Sequence, residues 1–243
     1  MNKIMSSMKQ LQEIIDLKDY YSKTKQKKLL EEISKNPSGL KNLLDLLISR
    51  KSNNNENISD IDGTIFKFLY NSKVIKLEKE LYAYFEKGIV SLESDKNINY
   101  IPLYKSLISN NFKKANQLTQ IYLKELAGLD KDNKRTWLYF TDILNLPIKD
   151  LRTIDLLWRI YSEDRFGFSI QRQIWVYNNK NWEKFWNKIG WKSNQKNMRY
   201  PDEFIWDGNA PNGHLPLSNQ LRGVQVLTAL FMHPALKTTI NKS

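Results

Sequence analysis

The chain has 243 residues, 41% of them hydrophobic and 26% charged, with a formal net charge of +12. That length suits one large domain or two small ones, with ample material for a packed core. Cysteine is absent, which excludes disulfides, thiolate metal sites and cysteine nucleophiles, and His214 and His233 are too few for a histidine-rich metal site.

No apolar run approaches the roughly 20 residues that a membrane-spanning helix needs, so a soluble or peripheral protein is expected. The N-terminal MNKIMSSMKQLQEIIDL lacks the compact apolar core of a secretory signal. It also contains acids and no arginine, unlike a transit peptide. Most of the positive excess is lysine. High lysine, asparagine and isoleucine are what AT-rich codons produce, so the charge reads as genome bias and function alike. An anionic partner or an anionic lipid surface fits the functional share.

Apolar periodicity predicts short amphipathic helices over about 9–20, 24–35, 39–50, 62–72 and 74–88. Leu40, Leu43, Leu44 and Leu47 recur at i, i+3, i+4, i+7 and give one apolar face. Pro37-Ser38-Gly39 and Ser52-Asn53-Asn54-Asn55 are turn chemistry between helices. This half reads as a small helical bundle, a scaffold or docking module. The apolar pattern lapses around Glu93–Asn97, which places a boundary between residues 1–92 and 93–243. Beyond it helices are predicted over about 101–109, 111–127, 135–145, 150–163, 169–179, 181–189 and 219–232. All seven tryptophans lie between Trp137 and Trp206. Strand-like alternation is scarce, so the fold class is all-α.

Helix 135–145 carries two apolar faces, one of Trp137, Phe140 and Leu144, the other of Tyr139, Ile143 and Leu146. Either it is buried all round, or one face walls an apolar ligand pocket. In 150–163, Leu151, Ile154, Leu157, Trp158 and Tyr161 form a core stripe. Asp150 is placed as the N-cap after Pro147, and Asp155 is expected to pair with Arg152 or Arg159 across a turn. Trp182, Phe185, Trp186 and Ile189 face a core in the next helix but one.

The stretch from Lys192 to Ser218 reads as a long flexible loop punctuated by Pro201, Gly208, Pro211, Gly213 and Pro216. His214 within it is either a base or axial metal ligand, or a structural hydrogen-bonding group. The second is preferred because no partner carboxylate is identifiable from spacing. Asn219, Arg222 and Gln225 share one face of the last helix, where a polar stripe would either be solvated or hold an amphipathic anion. Phosphate-binding glycine loops and a nucleophile elbow are absent, and the adjacent acids Glu163-Asp164 and Asp202-Glu203 do not make a carboxylate pair across a cleft. No enzyme is expected.

The block DLRTIDLLWRIYSEDRFGFSIQRQIW (150–175), with ELAG (125–128), RTWLYFTDI (135–143), IGWKS (189–193), FIWD (204–207), APNGHLPL (210–217) and NQLRGV (219–224), resembles the genomes-uncoupled-four family. These are tetrapyrrole-binding regulators of magnesium chelatase in cyanobacteria, algae and plants. The resemblance covers about residues 98–236, with 1–90 similar to the variable helical bundle of cyanobacterial members. It implies a core domain shaped like a cupped hand that binds protoporphyrin IX and Mg-protoporphyrin IX, with no other cofactor. It implies a monomeric activator of the chelatase, acting through its large porphyrin-binding subunit, with no nucleic acid. Together with the missing transit peptide, it implies a plastid-encoded algal copy in the stroma or peripheral to plastid membranes.

Carried onto this sequence, the resemblance makes Phe140 and Ile143 the greasy surface, Arg199 and Tyr200 a basic-aromatic pair beside it, and Asn219 and Arg222 the propionate contacts. Gln225 stands where cyanobacterial relatives have a second arginine, and Gln120 replaces another basic residue. A partly desolvated charge-assisted hydrogen bond is worth about 1.5–3 kcal/mol, so Gln225 is expected to lower affinity about ten-fold or more. The alternative reading is a basic helical module binding nucleic acid or an acidic protein partner.

Overall fold

The computed structural model describes residues 2–53, 58–129, 135, 137–193, 196–217 and 224–237. The chain divides into two compact units, Met1–Ile89 and Val90–Ser243.

The first unit contains α1 (Asn2–Ile14), α2 (Tyr20–Ser34), α3 (Pro37–Asn53), α4 (Asp60–Asn71) and α5 (Ile75–Phe85). The expected first helix, 9–20, is displaced toward the N-terminus. Its end is set by Asp19, whose carboxylate accepts the Ser22 N–H at 2.9 Å and starts α2. Buried Gln26 of α2 donates to the carbonyls of Ile14 and Leu17 at 2.6 and 3.0 Å, satisfying the end of α1. Leu40, Leu43, Leu44 and Leu47 are buried with Leu30, Ile33, Ile65 and Phe66 in a bundle core. Arg50 crosses from α3 to Asp62 of α4 at 2.6 Å.

The second unit contains α6 (Ile101–Ile108), α7 (Phe112–Leu126), α8 (Phe140–Leu144), α9 (Ile148–Tyr161), α10 (Phe168–Tyr177), α11 (Trp182–Lys188) and α12 (Val224–Met232). A 3-10 turn at Pro234–Leu236 follows α12. A two-stranded antiparallel hairpin, β1 (Lys192–Ser193) and β2 (Lys196–Asn197), interrupts the expected loop. The fold class is all-α as the sequence indicates.

The apolar stripe of α9 is buried in full and packs on α6 and α10. Its two acids do work that spacing did not indicate. Pro147, not Asp150, occupies the N-cap position. Asp150 instead accepts hydrogen bonds from the Ser94 hydroxyl, the Asp95 N–H at 2.8 Å and the Tyr100 hydroxyl at 2.8 Å. It thereby fastens residues 94–100 to the start of α9. Asp155 accepts the Ser169 N–H at 2.8 Å and satisfies the N-terminus of α10, while the charge of Arg159 across a turn acts on the same buried carboxyl. Burial pushes its carboxyl pKa up. The two elements approach so closely that a Cβ at Gly167 would lie 2.9 Å from Arg159 and 3.1 Å from Asp155, and Gly167 has φ 133°.

Aromatic residues form the second core. Trp175, Phe185, Ile189, Trp191, Phe204, Leu217, Leu227 and Phe231 are buried together, with Trp182, Trp186 and Trp206 packed against them. The tryptophan-rich stretch is therefore mostly interior material, arranged edge-to-face and tilted as aromatic quadrupoles favour.

Candidate functional site

α8 is a helix of five residues, shorter than the predicted 135–145. Tyr139 is extended at φ −90° and ψ 162° and starts the helix instead of continuing one. Its N–H donates to the Asp142 carboxylate at 2.7 Å. Arg135 closes the same carboxylate with a fork, Nη1 to Oδ2 at 2.6 Å and Nη2 to Oδ1 at 3.2 Å. The Arg135 hydrogen bond outweighs desolvation and holds the Asp142 carboxyl below its ordinary pKa.

This capping decides which side chains face outward. Phe140 is 44% exposed and Leu144 56% exposed, one turn apart on the same face. Ile143 is only 1% exposed. It lies inside the protein and would support a ligand surface from beneath rather than form it. Leu144, already grouped with Phe140 by spacing, is the outward residue that site assignment from the sequence passed over. Of the two alternatives for this segment, the helix is not buried all round.

α8 packs on α12. Val226, Leu227, Leu230 and Phe231 of α12 are buried, with Leu227 and Phe231 belonging to the aromatic core. α12 thus stands between α8 and the tryptophan cluster. Gln225 is exposed at the start of this helix. Asn219 and Arg222 lie outside the described residues.

The structure gives Gln120 a role that its comparison with a basic residue did not indicate. Its amide donates to the Leu217 carbonyl, while the Leu217 N–H donates to buried Asn116 at 2.8 Å. Two α7 side chains thus hold both backbone groups of one residue. Gln120 thus acts as a backbone clamp.

Arg199 and Tyr200 sit next to each other at the rim of the aromatic cluster. The Arg199 N–H donates to Glu203 at 2.6 Å, and both side chains are exposed. The Tyr200 ring lies edge-on to Phe204 and Trp206 at 6.2 and 5.9 Å. A run of ring contacts leads from Phe231 of α12 through Phe185, Trp191 and Phe204 to Tyr200, and α12 also packs on α8.

The segment expected to be a flexible loop is tied down along its second half. Arg165 donates to the carbonyls of Gly208 and Ala210. Gln171, wholly buried, donates to those of Gly213 and Pro216 at 2.9 and 2.8 Å. Gly213 N–H returns a bond to the Arg165 carbonyl at 2.7 Å, and Gly167 N–H one to Leu215 at 3.0 Å. The 150–175 block therefore grips this segment of its own chain, which explains its arginine and glutamine beside aromatics.

His214 is fully buried. Nδ1–H donates to the Ile189 carbonyl at 2.7 Å, and Nε2 accepts the Ile205 N–H at 3.1 Å. Both ring nitrogens are thereby spent on backbone, the structural role preferred from the sequence. Burial lowers its pKa. Among the described residues no group of three or more His, Asp or Glu side chains is placed to hold a metal, and no helix is long and apolar enough to cross a membrane.

Residues 93–234 match the GUN4-like family model. Uncharacterized protein ycf53 of Porphyra purpurea is 51% identical over 175 residues, 72% of this chain and 73% of that protein. The chloroplastic tetrapyrrole-binding protein of Arabidopsis thaliana is 37% identical over 150 residues, 58% of this chain and 56% of that one. The structure of GUN4 from Chlamydomonas reinhardtii superposes with a TM-score of 0.56 at 39% identity, covering 61% of this chain and 97% of its own. On the sequence match, the fold and these relatives together, the chain belongs to the GUN4 family.

Proposed function

We propose that this chain binds protoporphyrin IX and Mg-protoporphyrin IX and stimulates magnesium chelatase through its large porphyrin-binding subunit. The observation that carries the reading is the outward pair Phe140 and Leu144 on a helix pinned beside α12, in a family with a member named for tetrapyrrole binding. A planar apolar macrocycle gains from such a face, because removing apolar area from water is worth about 25 cal/mol per Å². Arg199, Tyr200, Asn219, Arg222 and Gln225 would serve its acidic edge. The protein acts as a carrier and activator with no cofactor and no catalysis of its own, as a monomer in the plastid, in the stroma or against its membranes. His214 supplies no base to a catalytic alternative, since both of its nitrogens are engaged.

Titration with both porphyrins, read by tryptophan quenching and the Soret band, tests this. Binding is expected at micromolar ligand. Phe140→Ala is expected to cost about 1 kcal/mol or somewhat more, a loss of roughly five- to ten-fold. No response from either probe at micromolar ligand would refute the binding reading, and an unchanged chelatase rate on adding the protein would refute the activator reading.

A further inference from the structure

The geometry points to Arg135 as a positioning residue for the ligand face, acting as a latch on α8 through Asp142; the inference rests on the porphyrin reading above. A five-residue helix has no stability of its own in water, because nucleation costs more than so few hydrogen bonds return. Its orientation must come from what holds its ends and sides. α12 supports it on the buried side, where Ile143 lies. The N-terminal end is held by one carboxylate. Asp142 takes the Tyr139 N–H at 2.7 Å and both arms of the Arg135 guanidinium at 2.6 and 3.2 Å.

The same guanidinium lies 4.5 Å from the centroid of the Tyr139 ring, against its face. Arg135 thus contacts the residue before Phe140 and the residue two after it. Both ion-pair partners are about four-fifths buried, at 21% and 17% side-chain exposure, so the pair is better shielded than an open surface bridge. Only arginine meets all three demands: a fork for a carboxylate, a flat face for a phenol ring and a permanent charge. Lysine offers one point charge and neither planar contact.

Arg135 itself is not assigned to the ligand. Its effect passes through the presentation of Phe140, which follows Tyr139 directly. The latch therefore sets affinity, while the aromatic core and the α9 stripe hold the unit together without it.

The test uses the full chain with protoporphyrin IX as probe, in Arg135→Ala, Arg135→Lys, Phe140→Ala and the Arg135→Ala/Phe140→Ala double variant. Arg135→Ala is expected to weaken binding about five-fold or more, and Arg135→Lys by nearly as much. The thermal midpoint should stay within a few degrees of the parent. Added to Phe140→Ala, the Arg135→Ala change should cost less than two-fold, because its route is already gone. Amide hydrogen exchange at Tyr139 should quicken at least ten-fold in both Arg135 variants. Full additivity of the two substitutions, or unchanged exchange at Tyr139, overturns the latch. Weakened binding in Phe140→Ala with none in Arg135→Ala overturns the latch and leaves the ligand face standing. Unchanged binding in Phe140→Ala overturns both.

Discussion

His214 holds a single proton between two backbone groups, and that arrangement has a pH consequence. The ring must be neutral, with its proton on Nδ1 facing the Ile189 carbonyl and a bare Nε2 facing the Ile205 N–H. A second proton would set N–H against N–H in a fully buried place. His233 repeats the device: Nε2 donates to the Leu146 carbonyl at 3.1 Å and Nδ1 accepts the Ala235 N–H at 3.2 Å. Burial lowers both pKa values in the fold. In the unfolded chain both rings titrate near 6.5. Below about that pH the unfolded state binds more protons than the folded one, so stability present above it is lost as the pH falls. Urea midpoints measured from pH 7.5 down to 5 should therefore fall, and His214→Gln should flatten the slope while lowering stability at pH 7.5. A slope unchanged in His214→Gln would show that this ring does not contribute.

At the scale of elements, α9 is held from both sides by carboxylates aimed away from its own backbone. Asp150 is the more demanding of the two, since it answers three donors, including the buried Tyr100 hydroxyl. Burial, with the Asp150 carboxylate second, raises the Tyr100 pKa far above its ordinary value, so the phenol remains a donor throughout the useful pH range. Asp150→Ala would orphan those donors at a cost of about 3 kcal/mol. For a unit of this size that corresponds to a fall of roughly 6–12 °C in the calorimetric midpoint. A shift within 2 °C would mean that water replaces the carboxylate. None of these bonds was legible in the sequence, because Ser94 and Asp150 are 56 positions apart and spacing carries no information at that range. What was legible is the local pattern: the leucine face of α3, the buried stripe of α9 and the inward tryptophans of α11 all follow helical periodicity. The same rule misread α8. Periodicity joined Trp137 and Tyr139 to the helix, whereas Asp142 and Arg135 fix Tyr139 in an extended conformation and leave Ile143 inside. Apolar spacing singled out a segment with two apolar faces and could not say which of them was covered.

Across the whole molecule, the excess of positive charge is the property that two functional readings explain differently. A net charge of +12 would be the working part of a module for nucleic acid, and only a background to the binding of an apolar macrocycle. On the proposed reading the macrocycle meets an exposed apolar pair, Phe140 and Leu144, whose contribution scales with area removed from water and is nearly indifferent to salt. Arg135, which precedes that pair in the chain, is committed to Asp142 and the Tyr139 ring. Contacts to phosphates behave otherwise: six of them lose about a thousand-fold in affinity between 50 and 200 mM salt, through counterion release. Porphyrin carboxylates lie between these limits, since their contacts with Arg222 or Arg199 would be few and screened. Protoporphyrin IX affinity should therefore change by less than about three-fold between 50 and 500 mM sodium chloride, and single-stranded oligonucleotides should not compete at 150 mM. A steep salt slope for porphyrin, or competition by the oligonucleotide, would move the site from the α8 face to the basic surface and favour the module reading.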